Sequence, residues 1–129
     1  MHLTTRPFPL LVVLALVANA VFEVGSGVLI LVSPASVFPG AGPQAAAIAR
    51  TLACAAIGAG GLGLMLLFAR ENGRAFRAAF AAIGVFHLVV AVGHGASVLQ
   101  GYTVVAAPIF HSALAVLFGV AWLAGRTKQ

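Results

Sequence analysis

Three histidines, His87, His94 and His111, stand in a part of the sequence that has almost no other polar side chain. The first two belong to GVFHLVVAVGHGASVLQG, which contains no Lys, Arg, Asp or Glu, and the third follows in PIFHSALAVLFGVAWLAG. Seven residues is nearly two helical turns, so His87 and His94 would share a helix face. Histidine binds transition metals, ligates haem iron and transfers protons near neutral pH. Whether these three residues can meet depends on the elements that carry them.

The composition predicts that these elements belong to an integral membrane protein. Of 129 residues, 62% are hydrophobic and 7% are charged, whereas soluble domains average about 25% charged residues. A soluble fold of this size could not bury so much apolar surface. The net charge of +5 comes from only seven basic residues, and their positions indicate membrane topology rather than nucleic-acid binding. A single cysteine, Cys54, excludes an intrachain disulfide.

Four apolar segments are long enough to cross a bilayer, which requires roughly 20 residues per helix. They cover residues 8–32, 44–69, 76–99 and 102–124 and form a single domain over residues 1–129. The first break, SPASVFPGAGPQ, is rich in Pro and Gly, the second, RENGR, is charged, and the third, QGY, is very short. The sequence therefore predicts an all-α, four-helix transmembrane bundle with short loops, in which the third and fourth helices are antiparallel neighbours.

Basic residues are concentrated on one side of this predicted bundle. The loop after the first span and the turn after the third carry no charge. The termini and the loop between the second and third spans carry Arg6, Arg70, Arg74, Arg77, Arg126 and Lys128. Because cytoplasmic loops carry an excess of Lys and Arg, both termini are predicted to be cytoplasmic. The apolar run continues past the signal-peptide-like stretch Ala18-Asn19-Ala20, so we expect the first helix to be retained.

The ionisable side chains inside the spans are Glu23, Arg50, His87, His94 and His111. With a rise of about 1.5 Å per residue, Glu23 and His111 lie equally deep, roughly 14 Å from the non-cytoplasmic ends of their helices, and the other three lie roughly 8 to 18 Å from those ends. Charged groups at membrane depth usually face protein or a cavity. We therefore predict a polar pocket in the outer half of the bundle that opens toward the non-cytoplasmic side. Asn19 and Ser26 could join this network or only cap it.

Each of these side chains also has a purely structural interpretation. Glu23 and Arg50 could form a buried ion pair that holds the first two helices together. A membrane histidine often serves only as an interhelical hydrogen-bond partner, and this interpretation is favoured for His94, which lies between two glycines near the end of its helix. For His87 and His111 both interpretations stay open.

The stretch GAGGLG in the second span has the spacing of a nucleotide-binding glycine motif. That motif requires a preceding strand and a helix that starts at the glycines, whereas these glycines lie within a membrane helix. Small residues at four-residue spacing, Ala55-Ala59-Gly63 and Ala56-Gly60, instead predict close helix packing within the bundle or in a dimer.

Three apolar stretches, FEVGSGVLILVSP, ARTLACAAIGAGGLGLML and PIFHSALAVLFG, resemble the small four-helix bacterial membrane proteins described as DoxX-like. In that group the first helix ends in a run similar to G-x-x-x-L-x-x-x-P, and the second helix is rich in glycine. The resemblance implies a four-helix fold and a multi-pass protein of the bacterial inner (cytoplasmic) membrane. It implies no defined activity and assigns no role to the three histidines.

Three functions are compatible with these features. The first is a small binding or accessory membrane protein, oligomeric or part of a larger complex, that contacts membrane lipid and holds a small or lipid-like ligand in its Glu/Arg/His pocket. The second is a redox or metal protein in which His87 or His94 and His111 hold a b-type haem or a transition metal. The third is a proton-coupled transporter with Glu23 as carrier and histidines as relay. No Ser-His-acid set can be assembled, so a hydrolase is not predicted.

Overall fold

The computed structural model describes residues 9–69, 73–101 and 105–126. Its four long helices are α1 (Leu10–Val32), α2 (Pro43–Leu67), α3 (Arg74–Leu99) and α4 (Ala106–Arg126). A single 3-10 turn, Pro34–Ser36, follows α1, and the described ranges contain no strand. All four helices are long and apolar enough to cross a membrane. The predicted all-α four-helix bundle is therefore confirmed, and the chain is a multi-pass membrane protein.

The helix ends differ from the predicted ones by a few residues. Pro43 is the first residue of α2, a position where proline loses no hydrogen bond and already has the φ angle that a helix requires. α3 begins at Arg74, directly after Gly73, and α4 begins at Ala106.

Some residues used in the sequence-based predictions lie outside the described part of the chain. They are Arg6, Arg70, Lys128, residue 8 of the first predicted span and residues 102–104 of the fourth. The predicted orientation of the termini therefore stays a prediction.

A glycine turn ends α3 and directs the chain back toward α4. Gly101 has a φ of 75°, a conformation that glycine adopts without the strain of a β-carbon. Its N–H donates a hydrogen bond to the carbonyl of Val98 at 2.9 Å. α3 and α4 pack against each other along their lengths, which confirms that they are neighbours.

The four helices form two hairpins that are joined along one side only. α1 packs extensively against α2, α3 packs against α4, and α1 also packs against α4. α2 and α3 make the least contact of the four neighbouring pairs. The order around the bundle is therefore α2–α1–α4–α3, with a gap between α2 and α3.

Glycines allow α1 and α2 to approach closely. A β-carbon added at Gly27 would lie 2.6 Å from Cγ1 of Ile57, and one added at Gly60 would lie 2.8 Å from Cγ2 of Val24. Gly60 and Gly63 are both buried in this interface. The predicted packing role of the small residues in α2 is therefore confirmed for these two glycines.

An apolar core fills the end of the bundle where α1 and α3 begin and α2 and α4 end. Its buried members are Val12, Ala15, Leu16, Leu66, Phe76, Phe80, Ile83, Phe118 and Ala121. Large apolar side chains such as Leu10, Met65 and Val92 are exposed on the outside, as expected for surfaces that contact lipid. The buried polar residues lie beyond this core, toward the opposite end of the bundle.

Candidate functional site

Four polar side chains from three helices are buried in the described part of the chain. Asn19 and Glu23 come from α1, His87 from α3 and His111 from α4. Glu23 is 1% exposed and His87 is 0% exposed. Buried polar groups require partners, because an unpaired one at this depth costs several kcal/mol. The contacts among these four residues therefore define what the site can do.

Three ligand-type atoms form a compact triangle. Nδ1 of His87 lies 3.0 Å from Nδ1 of His111. Oε1 of Glu23 lies 3.4 Å from Nδ1 of His87 and 3.6 Å from Nδ1 of His111. A point in the plane of this triangle lies about 1.9 Å from all three atoms, slightly less than the distance of about 2.0–2.2 Å at which Zn²⁺ binds nitrogen and oxygen ligands. The triangle therefore has the size of a metal coordination face.

The carboxylate of Glu23 faces both imidazoles without bonding to either. Its buried Oε1 atom accepts no hydrogen bond from the described residues, although two ring nitrogens lie within 3.6 Å. The three side chains thus point toward a common centre rather than along a hydrogen bond to the carboxylate. The predicted convergence of Glu23, His87 and His111 in the bundle interior is confirmed.

Asn19 determines which nitrogen of His87 faces this centre. Its amide Nδ2 donates to the carbonyl of Ala59 at 3.1 Å, so its Oδ1 is left to accept a hydrogen bond from Nε2 of His87 at 2.9 Å. Neutral imidazole carries one N–H. His87 therefore presents the lone pair of Nδ1 to the centre, and Nδ1–H of His111 can donate to it.

The local sequence explains how α1 supplies two of these groups. Asn19 and Glu23 are four residues apart and therefore share one face of the helix. That face meets the glycines of α2: a β-carbon at Gly60 would lie 3.1 Å from Cβ of Glu23, and one at Gly63 would collide with Nδ2 of Asn19. The glycine stretch of α2 thus leaves the space that the two polar side chains occupy. This four-residue spacing was the sequence signal that could have assigned Asn19 to the site.

His94 lies beside the triangle rather than in it. It is half-buried, and its ring stacks on that of His111 with centroids 5.4 Å apart and an interplanar angle of 11°. On another side, Phe22 contacts His111 edge-on at 5.0 Å. These two neighbours restrict the orientation of the His111 ring.

Arg50 does not join the site, and the buried ion pair with Glu23 that was one interpretation of the sequence does not form. Its side chain is exposed, and its Nε donates to the carbonyl of Leu31 at 3.2 Å. Leu31 lies eight residues beyond Glu23 on α1, which is about 12 Å along the helix. Arg50 therefore bonds an otherwise unpaired carbonyl in the last turn of α1, whereas Glu23 is surrounded by histidines.

A cavity of about 450 Å³ adjoins the triangle. Its polar lining includes Glu23, His94 and His111, and its walls are largely apolar. It extends to Val37 and Phe38 in the segment between α1 and α2. His87 lies behind Glu23 and His111 and does not line the cavity. Of the five residues predicted to line a polar pocket, Glu23, His94 and His111 do so, whereas His87 and Arg50 do not.

Comparisons of the chain with protein-family models, with curated proteins and with solved structures found no significant match. The resemblance to DoxX-like proteins therefore stays a prediction from the sequence stretches that suggest it.

Proposed function

We propose that this protein is a membrane metalloprotein that binds a divalent transition-metal ion through Oε1 of Glu23 and Nδ1 of His87 and His111. The observation that carries the proposal is the triangle of these atoms, whose sides measure 3.0, 3.4 and 3.6 Å. Two imidazoles and one carboxylate form the ligand set of several zinc and non-haem iron centres, in which further coordination positions stay open.

The electrostatics of the site support a cation. A carboxylate buried inside a membrane bundle requires a compensating partner, and Oε1 of Glu23 has no hydrogen-bond donor among the described residues. No arginine or lysine contacts it in that part of the chain. A divalent ion at the centre of the triangle would neutralise the carboxylate and use the lone pair that Asn19 orients on His87.

Asn19 matches the behaviour of residues that support metal ligands. A metal-bound histidine commonly donates its other ring N–H to a carbonyl or carboxylate oxygen, which fixes the tautomer and the ring orientation. The hydrogen bond from Nε2 of His87 to Oδ1 of Asn19 has this form. The further bond from Asn19 to the carbonyl of Ala59 holds the amide itself in place.

The geometry favours a single ion over a haem that has His87 and His111 as its two axial ligands. Two axial ligands lie on opposite faces of a haem, so the macrocycle must pass between them. The Nδ1 atoms of His87 and His111 are 3.0 Å apart and within hydrogen-bond distance, which leaves no slot for the ring.

The packing also favours a closed site over a proton-coupled transport path. Below the site, Leu16, Phe80 and Phe118 are each at most 2% exposed. Their apolar cluster closes the bundle on that side, whereas the cavity lies on the other. A site with access from one side suits metal and ligand binding.

The proposed setting is the bacterial inner membrane, with both termini in the cytoplasm and the cavity toward the non-cytoplasmic side. The resemblance to DoxX-like proteins supports the compartment, and the six basic residues support the orientation. A binding or accessory role in a larger complex is compatible with this setting.

The direct test is metal content after purification in lipid nanodiscs and equilibration with Zn²⁺, Fe²⁺ or Co²⁺. We expect about one ion per chain for the native protein, since the three ligands form one centre. Glu23→Gln preserves shape and removes the charged ligand, and it should lower affinity by at least about a hundredfold, because even supporting residues change affinity by about 10- to 100-fold. Arg50→Gln is the matched control and should bind normally. Equal metal binding by native protein and Glu23→Gln would contradict the proposal.

A further inference from the structure

We propose that a lipid-soluble molecule, with one oxygen or nitrogen donor on an apolar body, reaches the open coordination position of this centre from the bilayer through the gap between α2 and α3. The inference rests on the proposed metal centre and adds the class of its exogenous ligand and the route that this ligand takes.

The cavity is lined by residues of all four helices and extends to the side of the bundle where the helices pack least. α2 and α3 make little contact with each other, and both contribute cavity walls: Leu52, Ala55, Ala56, Phe86, Val90 and Gly93. Ala55 is exposed. It lies twelve residues into α2, about 18 Å along the helix, and Val90 lies nine residues before the end of α3, about 14 Å along. The gap therefore opens at the depth of the lipid chains.

The water-facing end of the cavity is covered by the segment that joins α1 to α2. Val37 and Phe38 of this segment line the cavity from that end. Phe38 also lines a second cavity together with Gly101, the glycine of the turn after α3. The segment therefore reaches across the bundle end toward α3. This arrangement favours access from the side rather than from water.

The polarity of the lining sets the orientation of an occupant. Apolar side chains such as Phe86 and Leu52 form the walls, whereas Glu23 and His111 form the floor. Because His87 lies behind these two residues, the free position of a three-ligand ion would face the cavity. A donor atom would sit at this floor beside His94, and an apolar body would extend toward the gap.

The volume also limits the size of the ligand. Pockets for small molecules measure about 300–1,000 Å³, and this one measures about 450 Å³. It suits a body of one or two rings or a short chain. A complete phospholipid is too large for it, although its chains could occupy the gap from outside.

The test uses Co²⁺-loaded protein in lipid nanodiscs, because the visible absorption of bound Co²⁺ changes when a ligand joins it. The probe is 4-phenylimidazole, which combines a nitrogen donor with an apolar ring. We expect it to alter the Co²⁺ spectrum. Ala55→Phe, which fills the gap, should slow probe binding by at least about tenfold without changing Co²⁺ affinity.

Two matched variants identify the route. Cys54→Phe adds the same ring at the adjacent exposed position of α2, outside the cavity lining, and should change neither rate nor affinity. Val37→Phe adds it at the water-facing end and should leave the rate unchanged. Slower binding in Val37→Phe with a normal rate in Ala55→Phe would overturn the lateral route. A native protein without a Co²⁺ spectrum would instead contradict the metal centre, and with it this inference.

Discussion

Nε2 of His87 on α3 and Oδ1 of Asn19 on α1 lie 2.9 Å apart across the interior of the bundle. This contact turns the lone pair of Nδ1 toward Glu23 and His111. It also links the site to α2, because the same amide donates to the carbonyl of Ala59. The position of one ligand atom thus depends on three helices, and changes at any of them should be detectable in metal affinity.

Replacement of Asn19 by leucine should weaken metal binding while the fold persists. Leucine has the same branched outline as asparagine but is larger, and it cannot accept the N–H of His87, so that ring loses its fixed tautomer. We expect affinity to fall by about 10- to 100-fold, measured by competition with a chromophoric chelator. Ser26→Ala is the control, because among the described residues the Ser26 hydroxyl bonds only the carbonyl of Glu23 in its own helix, at 3.4 Å. An unchanged metal affinity in Asn19→Leu would show that Asn19 does not orient His87 for metal binding.

Gly63→Ala should lower both the thermal stability and the metal affinity. Its new β-carbon would collide with Nδ2 of Asn19 and contact the carbonyl of Leu16 at 3.4 Å, so the Asn19 amide must move. Gly61→Ala is the matched control on the same helix, since nothing lies within 4 Å of a β-carbon there. Thermal unfolding in detergent and chelator competition measure both effects. Equal behaviour of the two variants would show that the glycine does not make space for Asn19.

The effects of Glu23→Gln and Arg50→Gln on stability should be additive. The two side chains bond to different partners, and distant sites add within about 0.3–0.5 kcal/mol. By contrast, the effects of Glu23→Gln and His87→Ala on the free energy of unfolding should not be additive, because these two side chains contact each other. Steric-trap unfolding in bicelles provides the free energies. A Glu23–Arg50 coupling above about 1 kcal/mol would indicate an ion pair that the structure does not contain.

The segment between α1 and α2 should face the non-cytoplasmic side of the membrane, and the segment between α2 and α3 should face the cytoplasm. With Cys54 replaced by serine, a cysteine at Ser36 should react with an impermeant maleimide in intact cells. A cysteine at Gly73 should react only after permeabilisation. These outcomes follow from the positions of the basic residues. The reverse pattern of labelling would show that the bundle is inserted in the opposite orientation.

The fold and the core of the site were predictable because lipid restricts where charge can lie. The apolar spans are long, and Glu23 and His111 have equal calculated depths, which indicated that they could meet. The contact of His87 with both residues then followed from the short turn that makes α3 and α4 neighbours. The adjacency of α3 and α4 was sufficient for this contact, whereas the calculated depths did not hold: α4 begins at Ala106, so His111 lies about 8 Å from the start of its helix rather than about 14 Å.

Other features depend on helix rotation and packing, which an apolar sequence specifies weakly. Arg50 has a depth similar to that of His94, but rotation about α2 turns it outward to Leu31. The gap between α2 and α3 could not be predicted from the positions of polar residues. Helices in lipid associate through small differences in packing, which the apolar sequence does not reveal. The role of Asn19 required the positions of both Ala59 and His87.

X-ray absorption spectroscopy of the Zn²⁺-loaded protein tests the central claim most directly, because it reports the ligands of the ion itself. We predict nitrogen and oxygen ligands at about 2.0–2.2 Å, with the multiple scattering of two imidazoles. His87→Ala should lose one imidazole contribution, and His94→Ala should retain both. A native spectrum without imidazole scattering, or one that is identical in His87→Ala, would contradict a centre built from Glu23, His87 and His111.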